Sequence, residues 1–388
     1  MILVIGVGVV GRAVISAFPG KVCFYDDKIK QIDGVPFFSS WDNISLIALS
    51  PGIGLDHDLL QEGLRRDIPI TNDIGLFLNQ NRPGIKIGIT GSNGKSTTCS
   101  LLAHVLGERA SLCGNIGVSP LSVKDSDFYI LETSSFQLEV LEKRFLKNLD
   151  LGIITNISPT HISRHGSFED YLNAKMRIFS AKKFFVGIDD FFKDLEVDKV
   201  EMPLVFPNNI IFNNMEYKKA WAIVVKVLDY LNVNIDQALI KAESFKPLKY
   251  RQEPILIKPI KVINDSKATN FGAVKCAFNN IEGKIVWIAG GSGSFEADEF
   301  NKLSCENVLK AFVIGEESSQ FISALNKSGV ENEYAKFLDL AVVKAYNYAL
   351  ENNATLILSP GFASHDQFKN FEDRGFVFNS LVQGLLKI

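Results

Sequence analysis

Several things are scarce in this sequence, and each scarcity excludes something. No uncharged apolar run is long enough to span a bilayer, which takes about 20 residues; the longest candidate, Ala220 to Leu231, is interrupted by Lys226 and Asp229. The apolar start, Met1 to Gly6, has neither a basic leader nor a cleavage signature, so a cytoplasmic location is expected. Cysteine is rare. Cys23, Cys99, Cys113, Cys276 and Cys305 are odd in number and form no C-x-x-C pair, which favours plain thiols in a reducing compartment over disulfides or zinc. An excess of one charge is missing too. With 41 Lys and Arg against 44 Asp and Glu, the net charge is −3, which gives no electrostatic footprint for nucleic acid or an anionic membrane. Heptads, solenoid periods and low-complexity tracts are absent.

What remains is an ordinary globular composition, 46% hydrophobic and 22% charged, over 388 residues, a length that implies two or three domains. Short apolar runs alternate with helical patterns. Leu3 to Ile5, Val22 to Tyr25, Leu46 to Leu49, Ile85 to Ile89, Phe128 to Leu131, Leu151 to Thr155, Lys261 to Ile263, Ile285 to Ala289, Ala311 to Gly315 and Thr355 to Leu358 read as buried strands. Helical spacing follows many of them, as in Leu340, Val343, Lys344 and Tyr348 before the last strand. The fold class is α/β, in three blocks: a Rossmann-like block at 1–84, closed by the turn-rich Asn81 to Gly84, a central block at 85–246, and a doubly wound block at 247–388. Ligands of such sheets bind beyond the carboxyl ends of the strands, where the polar clusters of this chain fall.

The central block carries the strongest signal. Gly91, Ser92, Asn93, Gly94, Lys95, Ser96 and Thr97 lie between the strand ending at Ile89 and a helix through Leu101, Leu102 and Val105. Strand, glycine loop and helix form a phosphate cradle, in which backbone N–H groups face the anion, Lys95 reaches the outer phosphates and a hydroxyl of Ser96 or Thr97 ligates magnesium. Glu132, at the end of the Phe128 strand, stands where a magnesium ligand is needed. His161 and His165 follow the Leu151 strand. Tyr171, Leu172, Lys175, Ile178 and Phe179 recur at helical spacing, which puts Lys175 in the middle of an apolar face; from the pattern alone, snorkelling to water is the favoured reading.

In the first block, Gly6, Gly8 and Gly11 open a helix, and Asp26 ends the next strand at the spacing of a dinucleotide fingerprint. The block is half the size of a dinucleotide fold, so a site for a nucleotide-bearing substrate fits better than a nicotinamide or flavin cofactor. A phosphate-loop regulator or transporter ATPase is the other alternative.

Taken together, Gly91 to Thr97, Gly114 to Gly117, Leu131 to Glu139, Thr155-Asn156 with His161, Ala174 to Ile178, Asn264 to Asn270 and Leu358 to Gly375 make the chain resemble the Mur ligases, and among them the branch that adds D-glutamate. The resemblance implies an ATP-dependent ligase, expected to be a monomer, whose three domains take UDP-N-acetylmuramoyl-L-alanine, ATP and D-glutamate in chain order. It implies two magnesium ions, one served by Thr97 and Glu132 and one by His161 and a Lys175 carboxylated on its amine. It places Val9, Val10, Asp26, Ser50, Gly52, Asn115 and Gln137 with the UDP-sugar, and Asn214, Arg251 and Asp265 with the nucleotide. Lys267, Thr269, Ser364 and Phe371 would frame the D-glutamate carboxylates. Where the family usually has an acid and a lysine after the Gly290-Gly291 pair, this chain has Ser292 and Ser294, which leaves more of the charge neutralisation to Lys267.

Overall fold

The computed structural model describes residues 1–256, 258–293, 295–316 and 318–385; Ser294 therefore lies outside the described residues. By its contacts the chain forms two compact units. One comprises Met1–Ile157 and Arg164–Phe245, the other Ser158–Ser163 and Lys246–Ile388.

The first unit holds two parallel sheets. In the smaller one, β1 (Ile2–Ile5), β2 (Val22–Tyr25), β3 (Leu46–Leu49) and β4 (Ile70–Thr71) lie in the order β2-β1-β3-β4. Leu3, Val4 and Ile5 are fully buried because both faces of the sheet are covered, which is why β1 reads as an unbroken apolar run. The loop after β1 turns at Gly6 with φ +85° and enters the helix Val9–Ala17. A Cβ on Gly11 would lie 2.1 Å from the Gly6 carbonyl oxygen, so only glycine lets that helix approach the loop so closely.

The larger sheet comprises β5 (Ile85–Thr90), β6 (Ala110–Gly114), β7 (Phe128–Glu132), β8 (Leu151–Ile154) and β9 (Lys183–Val186), in the order β6-β7-β5-β8-β9 and parallel throughout. Its register pairs Ile89 with Glu132 and Thr90 with Ile154, so the segments leaving β5, β7 and β8 emerge side by side. The helices Lys95–Leu106, Met215–Tyr230 and Ile235–Ala242 cover one face around the fully buried Trp221. The other face receives the helix Asp73–Leu78, whose Phe77 packs edge-on against Tyr129 at 5.0 Å. The helix that follows β4 thus belongs to the core of the next sheet. Burying each such large side chain contributes about 1.5–3 kcal/mol.

The second unit is built on β10 (Glu253–Leu256), β11 (Val262–Asn264), β12 (Ile285–Gly291), β13 (Val308–Gly315), β14 (Glu331–Lys336) and β15 (Thr355–Leu358), in the order β10-β11-β15-β12-β13-β14. Only the β10–β11 pairing is antiparallel among the described residues. One face of this sheet is packed with Phe271, Phe300, Phe321, Phe362 and Trp287.

Of two helices expected from spacing, one is present as expected and one is shorter. The helix Leu338–Glu351 exists, but Leu340 and Val343 lie on its exposed side; small residues, Ala341, Ala345 and Ala349, with Val342 and Tyr346, face the sheet and permit close packing. The helix bearing Lys175 ends at Met176, and Ile178 and Phe179 belong to a 3-10 turn, Arg177–Ser180.

Gly11→Ala should destabilise the protein by about 1–3 kcal/mol, as overpacking does. A urea unfolding curve superimposing on that of the wild type would refute this account of the glycine.

Candidate active site

The phosphate loop leaves β5 at Thr90. Gly91 has φ +148°, and a Cβ there would fall 1.9 Å from Thr155 Oγ1, so the loop is pressed against the end of β8 at a glycine. Asn156 holds it from the same side: the Asn93 N–H donates to Asn156 Oδ1 at 2.9 Å, and Asn156 Nδ2 returns a bond to the Asn93 carbonyl at 3.0 Å. Thr155 Oγ1 adds a bond to the same carbonyl at 2.6 Å. Gly94, left-handed at φ +78°, starts the helix Lys95–Leu106, and no acidic residue in the first turn opposes the positive end of its dipole. Ser96 is buried and Thr97 half-buried, which makes Thr97 the more accessible hydroxyl.

Two lysines converge on this loop. Lys95 Nζ donates to the carbonyls of Gly91 (2.7 Å) and Ser92 (3.0 Å). Lys175 Nζ donates to the same Gly91 oxygen at 2.8 Å and lies 3.4 Å from Thr90 Oγ1. Lys175 is only 2% exposed, so it does not snorkel; the spacing-based reading was wrong, because its helix packs against the loop and leaves the amine no route to water. Burial, and then the nearby positive charge of Lys95, hold its amine well below the usual lysine range, and Glu132 offsets only part of this. Both effects favour the neutral amine over the ammonium.

Glu132, 2% exposed, ends β7. Asn115 Nδ2 donates to its Oε1 at 2.8 Å, while its Oε2 is buried without a hydrogen-bond partner. An orphaned buried carboxylate oxygen beside a phosphate loop fits a hard cation, which takes oxygen donors. Among the described residues no group of three or more His, Cys, Asp or Glu is preassembled for a metal, so other oxygen donors such as hydroxyls, phosphates or water have to complete a cation's shell.

Sequence reasoning linked several further residues to the site, and their places differ. His161 belongs to the second unit, where its backbone N–H is bonded to the Glu296 carboxylate. Gln137 is buried, and its Oε1 closes a capping box with Ser134. Asn214 caps the helix Met215–Tyr230. At the first sheet, Asp26 is pushed up by burial, but N–H bonds from Val7, Ile29 and Lys28 outweigh this and leave it below the usual aspartate range. Its carboxylate therefore clasps the glycine loop, and Ser50 Oγ donates to the Gly6 carbonyl at 2.7 Å. Val9 projects at 73% exposure beside them, Val10 is half-buried and Gly52 exposed. Arg164 escaped sequence reasoning. It donates to the Ile53 carbonyl at 2.9 Å and stacks on Phe136 at 5.2 Å, joining the loop after β3 to the helix after β7.

In the second unit the loops after β11, β12 and β15 meet over Arg374, which is 1% exposed. Its guanidinium donates to Ser266 Oγ and to the carbonyls of Ser266, Phe362 and Ala363. Lys267 Nζ lies 3.9 Å above the Phe371 ring, with Thr269 half-buried nearby in sequence and Ser364 buried. Ser292 N–H donates to the Ala363 carbonyl at 2.9 Å. Asp265 accepts from Ser359 Oγ (2.8 Å) and from the Gln252 N–H (3.0 Å), tying the turn that carries Arg251 to β11.

A phosphate loop on a parallel sheet, with a second, buried lysine and a strand-end glutamate, followed by a doubly wound sheet, defines a class of ATP-using ligases. The chain belongs to the Mur ligase family. The Mur ligase middle domain matches residues 89–201. The chain is similar to UDP-N-acetylmuramoylalanine–D-glutamate ligase of Agrobacterium fabrum, 31% identical over 97% of this chain and 92% of that protein. Its fold is like that of the UDP-N-acetylmuramate–alanine ligase MurC of Thermotoga maritima (TM-score 0.58, 18% identity, 99% of each chain covered). It is also like that of MurF from Thermotoga maritima in complex with ADP (TM-score 0.60, 14% identity, 93% and 89% covered).

The buried Asp265 yields a pH prediction. Burial, opposed by the bonds from Ser359 and Gln252 and by the charges of Arg251 and Arg374, raises its pKa from 3.8 to about 7. A raised folded-state value means that the associated stabilisation is present in full below the ordinary aspartate range and is lost as pH rises through about 7. The unfolding free energy of wild type relative to Asp265→Asn should therefore fall by on the order of 3 kcal/mol between pH 4 and pH 8. A pH-independent difference in urea unfolding would contradict this.

Proposed function

We propose that the protein is the ATP-dependent ligase that joins D-glutamate to UDP-N-acetylmuramoyl-L-alanine, a step in making peptidoglycan precursors in the cytoplasm. In this reading residues 1–84 hold the UDP end of the substrate, 85–246 hold ATP, and 247–388 take D-glutamate. The observation that carries it is the buried Lys175 on the same carbonyl oxygen as Lys95, beside Glu132, with burial and Lys95 lowering its pKa. A motor or transporter with a phosphate loop has no use for a second, buried lysine at that point, whereas an amine whose pKa is lowered can take up carbon dioxide in its neutral form and become an anionic oxygen ligand.

Lys95 leaves the loop carbonyls and pairs with the outer phosphates of ATP, and the helix it starts directs its dipole at them. The terminal carboxylate of the L-alanyl substrate attacks the γ-phosphorus; the bond to the bridging oxygen breaks, and ADP departs. Lys95 lowers the repulsion between the two anions in this step. Two magnesium ions, one served by Thr97 and Glu132 and one by His161 and a carboxylated Lys175, would supply further charge screening. The D-glutamate amine, having lost a proton, attacks the acyl carbon, and the tetrahedral adduct expels phosphate to leave the amide. Lys267, on the Phe371 ring, offers the cation for a D-glutamate carboxylate, with Thr269, Ser364 and the backbone about Ser292 completing the pocket. Asn115 orients Glu132, and Asn214, Arg251 and Asp265 frame the nucleotide directly or by holding its loops.

Two measurements test this reading. With UDP-N-acetylmuramoyl-L-alanine and ATP, phosphate release should require D-glutamate among a panel of amino acids; release with L-glutamate or a diamino acid but not with D-glutamate would refute it. Lys175→Ala should lose at least about 100-fold in kcat and regain part of it with added short-chain carboxylic acids, because a free carboxylate can occupy the place of the missing carbamate. Undiminished activity of that variant would remove Lys175 from the mechanism.

A further inference from the structure

Tyr171 lies one helical turn before Lys175 on the helix Phe168–Met176, and it is fully buried. Its hydroxyl shares a 2.6 Å hydrogen bond with Ser92 Oγ, and Lys175 Nζ sits 4.8 Å from its ring centroid. Since Lys175 also donates to Gly91, two residues on one helix face grip two successive residues of the phosphate loop. Packing alone does not account for this tyrosine. The ring is backed by the edge of His165 at 5.5 Å and by Phe168 at 6.2 Å, and a phenylalanine would fill the same volume. A hydroxyl kept on a fully buried ring has its value in the polar group it meets.

That group lies inside the loop that has to receive phosphates. Ser92 is fixed at its N–H by the Asn156 carbonyl at 2.9 Å, and its own carbonyl is one of the two resting places of Lys95. When Lys95 turns to the phosphates, Ser92 loses that bond. The Tyr171 hydroxyl then still anchors its side chain and keeps the loop in register with the helix that carries Lys175. His165 steadies the ring from behind, with Nε2 3.0 Å from Ser135 Oγ and Nδ1 3.3 Å from Glu139.

We propose that Tyr171 is a positioning residue for the nucleotide: its hydrogen bond to Ser92 sets the phosphate loop from the Lys175 helix. The proposal rests on the nucleotide reading above. It is tested on the full chain by calorimetric titration with magnesium and the non-hydrolysable analogue AMP-PNP, using wild type, Tyr171→Phe, Ser92→Ala and the double variant. Loss of one buried hydrogen bond should weaken binding about five- to ten-fold in Tyr171→Phe. Ser92→Ala should weaken it at least as much. In the Ser92→Ala background the phenylalanine should add less than about two-fold, because the bond is already gone. In steady state, Tyr171→Phe should raise the KM for ATP and leave the KM for D-glutamate unchanged. Tyr171→Phe binding as tightly as wild type, or effects of the two single variants that multiply in the double, would overturn the proposal. Wild type that fails to bind AMP-PNP at all would overturn the nucleotide reading itself, and this inference with it.

Discussion

A single carbonyl oxygen, that of Gly91, receives both Lys95 at 2.7 Å and Lys175 at 2.8 Å, so the two amines stand no farther apart than those two bonds allow. Two full positive charges at such a separation repel by on the order of 3 kcal/mol at an effective dielectric constant of about 20. One of them must yield its proton or move. Lys95, half-buried at the start of its helix, keeps access to solvent and to an incoming phosphate. Lys175, enclosed by Tyr171 and the loop, has neither, so burial makes it the amine that gives up its proton more readily. The constraint originates in the backbone: Gly91 at φ +148°, pressed on Thr155, turns its carbonyl inward to where both lysines reach it.

The rest of the site follows from where that oxygen lies. The pairing of Ile89 with Glu132 and of Thr90 with Ile154 sets the acid on one side of the loop and Thr155-Asn156 on the other. The acid adds negative potential beside the buried amine, and Asn115 occupies one of its oxygens while the other stays unpartnered. An ordinary phosphate loop needs one cation and a hydroxyl. Here the same loop also engages a second, buried lysine, a partner that the glycine motif alone does not call for.

The parts legible in the sequence were those whose environment is uniform. Central strands such as β1, β5, β7, β8, β12 and β15 are covered on both faces and read as continuous apolar runs. The strands that escaped notice, β4, β6, β9, β10 and β14, are edge strands among the described residues, and sequences such as Glu331 to Lys336 carry charges that an edge tolerates and a centre does not. In the helix Leu338–Glu351, Ala341, Ala345 and Ala349 are buried with Val342 and Tyr346 while Leu340 and Val343 lie outward, so helical spacing alone does not tell which side meets the sheet. At the site, Lys95 and Glu132 were legible from the spacing of loop and strand end. The partnerships were not. Neither the mutual bonds of Asn93 and Asn156 nor the shared acceptor of two lysines 80 residues apart has a local signature, since each depends on which strands become neighbours.

The first sheet shows how a strong motif can be reproduced while its usual ligand contact is replaced. Gly6, Gly8, Gly11 and Asp26 stand at the spacing of a dinucleotide fingerprint, and the close approach of Gly11 to Gly6 is the geometry that fingerprint encodes. Yet Asp26 directs one carboxylate oxygen to Val7 N–H at 2.7 Å and the other to Lys28 and Ile29, stabilising the loop that a ribose-binding acid would leave open. The sheet then stops at the two-residue strand β4. Asn72, the next residue, is fully buried; its Oδ1 caps the helix Asp73–Leu78, and its Nδ2 donates to the Gln137 carbonyl at 2.9 Å in the segment that follows Glu132. A cofactor domain would require a second half of sheet at this point. This chain instead uses the junction to tie the end of its first sheet, through Asn72, to the segment that follows β7.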